Sequence, residues 1–304
     1  VIEGKVTITA AATLDGVLLT KPADSTDTGS GTHFTGWAGI NVDIGGGGTV
    51  TNTVVEAFGA HGGFAGSGFV TMSTGGGAFR SSKVVAGDGY SASSDARGVA
   101  SVAVGSAGTF VIDGNSLLVS TDNADAVNIF DGTVTVSSNT ISGVDGGIVA
   151  FANFDGLAIT GNTVGGYNDN GIRVFNHTGT NPSSVTISGN SVTGANPLLV
   201  DASTSLEYVI DGADAAPLTT TSQLAGILSD NAASSGIATL KAERYESWVP
   251  QNFTMDGLTV KAAYAGNDQD NTLTGSANDE VFLGGAGENT IDGNAGIDSA
   301  VFTG

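Results

Sequence analysis

The fold of this chain is decided by the stretch VTVSSNTIS at residues 134–142, which recurs as LAITGNTVG at 157–165 and VTISGNSVT at 185–193. An earlier copy, VIDGNSLLV at 111–119, keeps the same arrangement of alternating apolar residues, a short polar turn and a further apolar residue. Apolar residues with a period of two indicate strands, because a helix would place them three or four positions apart.

These copies belong to a longer repeat. The residue at the centre of the turn is Asn115, Asn139, Asn162 or Asn190 in the clear copies, and Asn52 or Ser82 in two weaker ones. The central residues lie 23 to 33 positions apart. A period of this length with strand patterning is typical of a solenoid, in which each repeat stacks on its neighbours.

A second apolar segment follows each clear copy and predicts another strand in each repeat. These segments are DAVNIF at 125–130, GGIVAF at 146–151, NGIRVF at 170–175 and PLLVDA at 197–202. We therefore expect at least two strands in every coil, with the asparagine in a tight turn. A tight turn buries main-chain groups that need partners, and an asparagine side chain offers both a donor and an acceptor.

The repeat resembles the right-handed parallel β-helix of pectate-lyase-like proteins, in which the turn asparagines of successive coils stack. The resemblance covers about residues 1–210 and implies an all-β solenoid. Residues 211–262 interrupt the pattern, and we interpret them as a transition that caps the solenoid end. Within them Leu224, Ile227 and Leu228 have helical spacing and predict one short helix.

From residue 266 onward the sequence repeats with a period of nine. The blocks GNDQDNTLT, GSANDEVFL, GGAGENTID and GNAGIDSAV begin at Gly266, Gly275, Gly284 and Gly293. The sixth place of every block carries a side-chain oxygen, and the eighth place is apolar in three blocks and alanine in the fourth.

These blocks resemble the calcium-binding nonapeptide repeat of RTX proteins. The resemblance implies a short parallel β-roll over residues 263–304, in which two blocks make one coil and Ca²⁺ lies between the turns. Turns two blocks apart share an edge, so Asn271 is expected to face Asn289, and Glu280 to face Asp298. The second edge carries more charge and is the better candidate for calcium. The implied metal-site residues are Glu280, Asp298, Asn271, Asn289, Gly275, Gly284 and Gly293.

The charge of the chain limits its partners. Nine Lys and Arg residues oppose 30 Asp and Glu residues, which gives a net charge of −21. Such a surface repels nucleic acid and anionic lipid, so we expect neither as a partner. No apolar run has the length of a membrane span. Residues 266–304 contain seven carboxylates and no Lys or Arg, so we expect repulsion to oppose their folding unless cations bind.

Candidate catalytic residues are few. Glycosidases need two carboxylates at a set distance, and polysaccharide lyases on β-helices use a basic residue together with a cation. Alignment of the segments that begin DAV, DGGI and DNGI places Asp145 and Asp169 near one corner of adjacent coils. Arg173 lies between Ile172 and Val174 and should point outward. Turn-forming aspartates and an ordinary surface charge account for the same residues.

The sequence as a whole predicts a calcium-dependent structural or adhesive segment, such as part of a surface layer, a filament or an adhesin stalk. The RTX resemblance implies a bacterial protein that is exported by type I secretion and is extracellular or at the cell surface. Its expected partners are calcium, further copies of itself and a cell-surface polysaccharide. The alternative is a polysaccharide lyase, hydrolase or epimerase on the same scaffold. The chain has no initiator methionine, and we expect it to be a piece of a longer protein.

Overall fold

The computed structural model of this protein is a stack of β-strand coils. It describes the chain except residues 4–5, 23–41, 59, 62–67, 87–90, 93–98, 119–123, 143–145, 151–153, 167–170, 176–183, 194–197, 202–206, 209–215, 218, 231–236, 242, 245–248, 251 and 303–304. The described strands form three large sheets, here called sheets 1, 2 and 3, and five two-stranded sheets.

Sheet 1 has twelve strands and runs the length of the molecule. Its strands, in the same order in the sheet and in the chain, are Val6–Ile8, Val42–Ile44, Gly68–Met72, Val99–Val104, Ala124–Ile129, Gly146–Ala150, Ile172–Phe175, Leu198–Asp201, Ala238–Lys241, Ala262–Ala265, Glu280–Leu283 and Ser299–Val301.

Sheets 2 and 3 have seven and eight strands, all paired in parallel. Sheet 2 consists of Thr13–Asp15, Gly48–Thr51, Gly77–Arg80, Thr109–Asp113, Gly132–Ser137, Phe154–Thr160 and Ser184–Ser188. Sheet 3 consists of Ile2–Glu3, Leu18–Pro22, Val54–Phe58, Lys83–Ala86, Ser116–Leu118, Thr140–Ser142, Thr163–Gly165 and Ser191–Thr193.

Four two-stranded sheets flank this stack, and a fifth belongs to the nonapeptide blocks. The first pairs Ala60–His61 with Ser91–Ala92 in parallel. Three are antiparallel and pair Glu207–Tyr208 with Ala216–Pro217, Glu243–Arg244 with Val249–Pro250, and Phe253–Met255 with Leu258–Val260. The fifth pairs Thr272–Thr274 with Thr290–Asp292 in parallel.

Each coil of the large stack contributes one strand to sheet 1, then one to sheet 2 and one to sheet 3. The sequence predicted at least two strands per coil, and the structure has three because the motif that contains the asparagine bends at the turn and supplies two of them. In the coil from residue 99 to residue 118, Val102, Ile112 and Leu117 point inward from the three sheets and are fully buried. Burial of such side chains stabilises the fold by about 1.5–3 kcal/mol each.

The turn between sheets 2 and 3 has one two-residue form in seven successive coils. Its first residue has a positive φ and is Gly16, Asn52, Ser81, Gly114, Ser138, Gly161 or Gly189. Its second residue is Val17 in the first coil and then Thr53, Ser82, Asn115, Asn139, Asn162 and Asn190. The sequence analysis placed Asn52 at the centre of the first copy of the repeat, but the structure places Thr53 at this position. Asn52 takes the left-handed conformation with φ 49°, which asparagine tolerates better than most residues, and Thr53 takes the buried position.

From Thr53 to Asn190, the second residues of these turns form a continuous hydrogen-bonded ladder, as the sequence predicted for the asparagines. The main-chain N–H of each donates to the side-chain oxygen of the next, at 2.9 Å from Asn115 to Asn139 and at 3.0 Å from Asn139 to Asn162. Ser82 joins the ladder by donating its N–H to Asn115 Oδ1, and Thr53 by donating its N–H to Ser82 Oγ. The ladder therefore supplies the buried turns with the acceptors that they need.

One helix, α1 (Thr221–Asp230), is present in the described part of the chain, and it confirms the predicted short helix. Sheets 2 and 3 end just before it, whereas sheet 1 continues. The helix packs against the last strand of sheet 2 and against the strands Ala238–Lys241, Ala262–Ala265 and Glu280–Leu283 of sheet 1. Leu224 is fully buried in the common core. The helix thus covers the apolar end that sheets 2 and 3 leave open.

The chain reverses direction within sheet 1 where the two repeats meet. Ala238–Lys241 pairs antiparallel with Ala262–Ala265, and the strands on either side of this junction pair in parallel with their other neighbours. The nonapeptide blocks then enter sheet 1 and the fifth two-stranded sheet alternately, since Thr272 pairs with Thr290 and Val281 with Ser299. Two blocks therefore make one coil, as expected.

Two modules share sheet 1: the coils that also contain strands of sheets 2 and 3, here called the large solenoid, and the nonapeptide blocks from Gly266 onward, here called the roll. Their cores lie on opposite faces of sheet 1. Val281 and Leu283 belong to the core that α1 and the large solenoid share. Phe282, between them, points to the other face, where its ring stacks on Tyr264 with centroids 5.2 Å apart and lies against the backbone of Gly275. Sheet 1 therefore serves both modules, with a different face for each.

Candidate functional site

The sixth-place residues of the nonapeptide blocks meet in the pairs that the sequence predicted. The N–H of Asn271 donates to Asn289 Oδ1 at 2.9 Å, and the N–H of Glu280 donates to Asp298 Oδ1 at 3.1 Å. The geometry matches the asparagine ladder of the large solenoid, because in both places the next coil's side-chain oxygen accepts a main-chain N–H. The sequence patterns of the two repeats did not reveal this common arrangement.

The sixth-place side chains also bond to the turn of their own block. Asn271 Oδ1 accepts from the N–H of Asn267 at 2.8 Å, and the carboxylate of Glu280 accepts from the N–H and the hydroxyl of Ser276. Asn289 Nδ2 donates to the carbonyl of Ala286 at 3.1 Å. Asn271, Glu280 and Asn289 therefore each link their own turn to a neighbouring coil.

The first-place glycines leave the space that the sixth-place side chains occupy. A Cβ on Gly266 would collide with Asn271, one on Gly275 with Glu280, and one on Gly293 with Asp298. Gly284 is less crowded, since the nearest atom to such a Cβ is Asn289 Nδ2 at 3.0 Å. This packing explains why every block begins with glycine, whether or not a metal binds.

The donor atoms of the roll suit calcium by their chemistry. Carboxylates, amide oxygens and main-chain carbonyls are the ligands that Ca²⁺ takes in proteins. The turns of the last two blocks have positive φ at Gly285, Gly287, Asn294 and Gly296, a backbone form that lets carbonyls converge. No group of three acidic, His or Cys side chains converges among the described residues. Calcium binding stays a prediction.

The fifth-place acids of the first two blocks also bond across the coils, but here the side chain of the earlier coil accepts from the main chain of the next coil. Asp270 Oδ1 accepts from the N–H of Glu288 at 2.8 Å, and Asp279 Oδ1 accepts from the N–H of Ile297 at 2.7 Å. Acidic residues therefore occur along both turn edges of the roll, and no basic residue occurs between residues 266 and 304.

A second candidate site lies on the outer face of sheet 1. The residues that alternate with the core positions form a row across the strands, from Asp43 to Thr71, Ala103, Asn128, Val149 and Arg173. Although these positions point away from the core, Thr71, Ala103, Asn128 and Val149 are at most 4% exposed. The outer face of sheet 1 is therefore shielded from solvent along this row.

Four polar atoms of this outer row are buried. They are Asp43 Oδ1, Thr71 Oγ1, Asn128 Oδ1 and Arg173 Nε. Thr71 Oγ1 has no hydrogen-bond partner within the described part of the chain. Burial of a hydroxyl without a partner costs about 1–3 kcal/mol.

Sequence analysis identified Arg173, one of the four polar residues of the row. Arg173 points outward as predicted, but it is half-buried and is no ordinary solvated charge. Sequence analysis did not identify Asp43, Thr71 and Asn128. The pattern that could have revealed them is a polar residue between two apolar core residues in the sheet 1 strand of successive coils. The predicted catalytic candidates Asp145 and Asp169 lie outside the described residues.

Comparisons with protein-family models, with curated proteins and with solved structures found no match for this chain. The helix in the described residues is too short to cross a membrane. Function must therefore be argued from the geometry and the charge of this chain itself.

Proposed function

We propose that this protein is an extracellular, calcium-stabilised structural or adhesive segment, a right-handed parallel β-helix that ends in an RTX-type β-roll. The observation that carries the proposal is the fusion of the acidic nonapeptide stack into the same twelve-stranded sheet as the large solenoid. Eleven intervals of about 4.8 Å make this sheet roughly 50 Å long. A continuous sheet transmits load along its axis, which suits a stalk, a filament or a surface layer.

The charge of the roll supports a role for calcium. Ligands that repel one another in the absence of a cation hold the chain unfolded, and binding free energy then becomes folding free energy. Residues 266–304, with seven carboxylates and no Lys or Arg, would remain unfolded at the low calcium concentration inside a cell and would fold outside it. This property suits export by a type I system and a site of action at the bacterial surface.

The proposal is tested by imaging the purified full chain, with calcium and with EDTA, alongside its thermal unfolding. We expect ordered assemblies with calcium and a clear fall in the apparent Tm with EDTA, because a ligand that binds the folded state stabilises it. Magnesium is the control, since it prefers a tighter octahedral site. A monodisperse protein with the same Tm in all three conditions would contradict the proposal.

The half-buried Arg173 on the outer face of sheet 1 favours a second candidate, a polysaccharide-acting enzyme on the same scaffold. Arg173 would hold an acidic group of a sugar chain that lies across the strands of the outer face. The test is a panel of acidic and neutral polysaccharides, assayed for new reducing ends and for unsaturated products. Activity that is lost in Arg173→Met and kept in Arg80→Met would establish this function, and inactivity on the whole panel would count against it.

A further inference from the structure

A shallow groove of about 470 Å³ follows the turn between sheets 2 and 3. Two rows of residues form its walls. The left-handed turn residues Asn52, Ser81, Gly114 and Ser138 make one row, and the sheet 3 residues Val54, Lys83, Ser116 and Thr140 make the other. The ladder residues Thr53, Ser82 and Asn115 are buried beneath them and form the floor.

The groove exists because one position in the first row lacks a side chain. Gly114 lies between Ser81 and Ser138, and the nearest atom to a Cβ placed there would be Ser81 Oγ at 3.8 Å. The side chains of the neighbouring coils therefore stand on either side of an open notch. The ladder fixes the floor through hydrogen bonds, so the groove is preformed.

Lys83 carries the positive charge of the groove. It is exposed, and no acidic side chain of the described residues lies within ion-pair distance of it. The acids nearby have other partners, since Asp113 accepts from Arg80 and from the hydroxyl of Ser137, and Asp15 accepts from Asn52 Nδ2. In a protein of net charge −21, an uncompensated lysine in a polar groove favours an anionic ligand.

We propose that this groove binds a sugar that carries one anionic group, such as a uronic acid residue within a largely neutral glycan. Lys83 would hold the anion. The hydroxyls of Ser116 and Thr140, one coil apart at about 4.8 Å, and the amide of Asn52 would bond to the sugar hydroxyls. A densely charged polyanion does not fit, because the remaining acidic surface repels it.

This inference deepens the proposed adhesive function and rests on it for its biological meaning. It gives the adhesive surface a location, an edge of the large solenoid, and a ligand class. The groove lies among strands that precede residue 143, whereas the proposed calcium site lies after residue 265. The two sites are therefore separable by experiment.

The test is a calorimetric titration of the full chain with three probes, in calcium and in EDTA. The probes are an oligosaccharide with one uronic acid residue, the same oligosaccharide with its carboxyl group reduced to an alcohol, and inorganic phosphate. We expect the acidic oligosaccharide to bind at least about tenfold more tightly than either other probe, which corresponds to about 1.4 kcal/mol.

Variants locate the binding. Lys83→Met should weaken binding of the acidic oligosaccharide about tenfold, and Ser116→Tyr should abolish it by filling the groove. Arg80→Met is the matched control, because it removes one positive charge from the same coil outside the groove and should leave the affinity unchanged.

Three results would overturn the inference: no binding of the acidic oligosaccharide, equal weakening by Lys83→Met and Arg80→Met, or phosphate bound as tightly as the sugar. Circular dichroism of each variant confirms that it is folded. If binding depends on Lys83 but calcium has no effect on the protein, the proposed binding groove is supported and the calcium-dependent function is rejected. If the protein depends on calcium but binds none of the probes, the calcium-dependent function is supported and the binding groove is rejected.

Discussion

At the scale of the residue, one side chain per coil completes the hydrogen bonds of two coils. Asn139 accepts through Oδ1 from the N–H and the Nδ2 of Asn115, and it donates through Nδ2 to Ile112 O and to Asn162 Oδ1. It is 1% exposed, so water cannot replace these partners. The neighbouring Thr140, in contrast, is exposed.

Asn139→Ala should therefore lower the free energy of unfolding by on the order of 3 kcal/mol, because several buried polar groups lose their partners together. Chemical denaturation measures the change. Thr140→Ala is the control and should change the free energy by less than about 0.5 kcal/mol. Similar losses in the two variants would show that the ladder contributes nothing specific.

Two alanine substitutions, one at a crowded glycine and one at an open glycine, test the packing of the nonapeptide blocks. A Cβ on Gly293 would collide with the carboxylate of Asp298, whereas a Cβ on Gly226, in α1, has nothing within 4 Å. Gly293→Ala should displace Asp298 from Glu280 and destabilise the roll. Gly226→Ala should stabilise the protein by about 0.5–1 kcal/mol, because alanine loses less entropy in a helix. Thermal unfolding compares the two, and shifts of the same sign would refute this account.

At the scale of the element, α1 is held by a hairpin that lies beyond it in the chain. Asp256 and Gly257, with φ of 50° and 80°, form the tight turn of the hairpin Phe253–Val260. The carboxylate of Asp256 accepts from both the N–H and the hydroxyl of Thr221, at the first turn of the helix. One aspartate thus forms a turn and caps a helix, which fixes both against sheet 1.

Substitutions at residue 256 can separate these two roles. Asp256→Asn keeps the left-handed turn and an acceptor, whereas Asp256→Gly keeps the turn alone. We expect the glycine variant to lose about 1–2 kcal/mol, as for the loss of a helix cap, and the asparagine variant to lose less. Urea unfolding of the two variants measures the difference. If both match the parent, the cap does not stabilise the junction.

At the scale of the whole molecule, sheet 1 joins two modules that depend on different interactions. The large solenoid is held by its apolar core and its ladder. The roll has a thin core that opens toward the last coil, with Leu273 and Phe282 buried, Ile291 half-buried and Ala300 exposed. The acidic roll therefore depends more on any cation that it binds.

Hydrogen exchange followed by mass spectrometry can show this difference along the full chain. EDTA should accelerate exchange over residues 266–302 and leave the ladder strands near Asn115, Asn139 and Asn162 protected. The antiparallel junction at Ala262–Ala265 should mark the boundary. Equal acceleration in both modules would mean that the protein unfolds as one unit, and no acceleration would argue against bound calcium.

The parts of the fold that could be predicted are those set by local pattern. The alternating apolar residues predicted the strands, the asparagines predicted the ladder, and the spacing of Leu224, Ile227 and Leu228 predicted the helix. The sequence did not reveal that Thr53, rather than Asn52, occupies the buried ladder position. Both residues are polar and adjacent, so the local pattern does not distinguish them. The facing pairs Asn271/Asn289 and Glu280/Asp298 followed from the resemblance to RTX repeats, which implies that two blocks make one coil.

The rest was fixed by tertiary structure, because it depends on what packs against each face of a strand. The sequence by itself determined a stack of coils, with turns that need an internal partner and an acidic repeat at its end. Only the folded molecule decided that the chain reverses direction in sheet 1 and that the two modules use opposite faces of it. Only the folded molecule buried Thr71 and Asn128 on an outer face and placed Lys83 in a groove where no acidic side chain of the described residues pairs with it. Period and polarity are properties of neighbours in the chain, whereas burial and charge compensation are properties of neighbours in space.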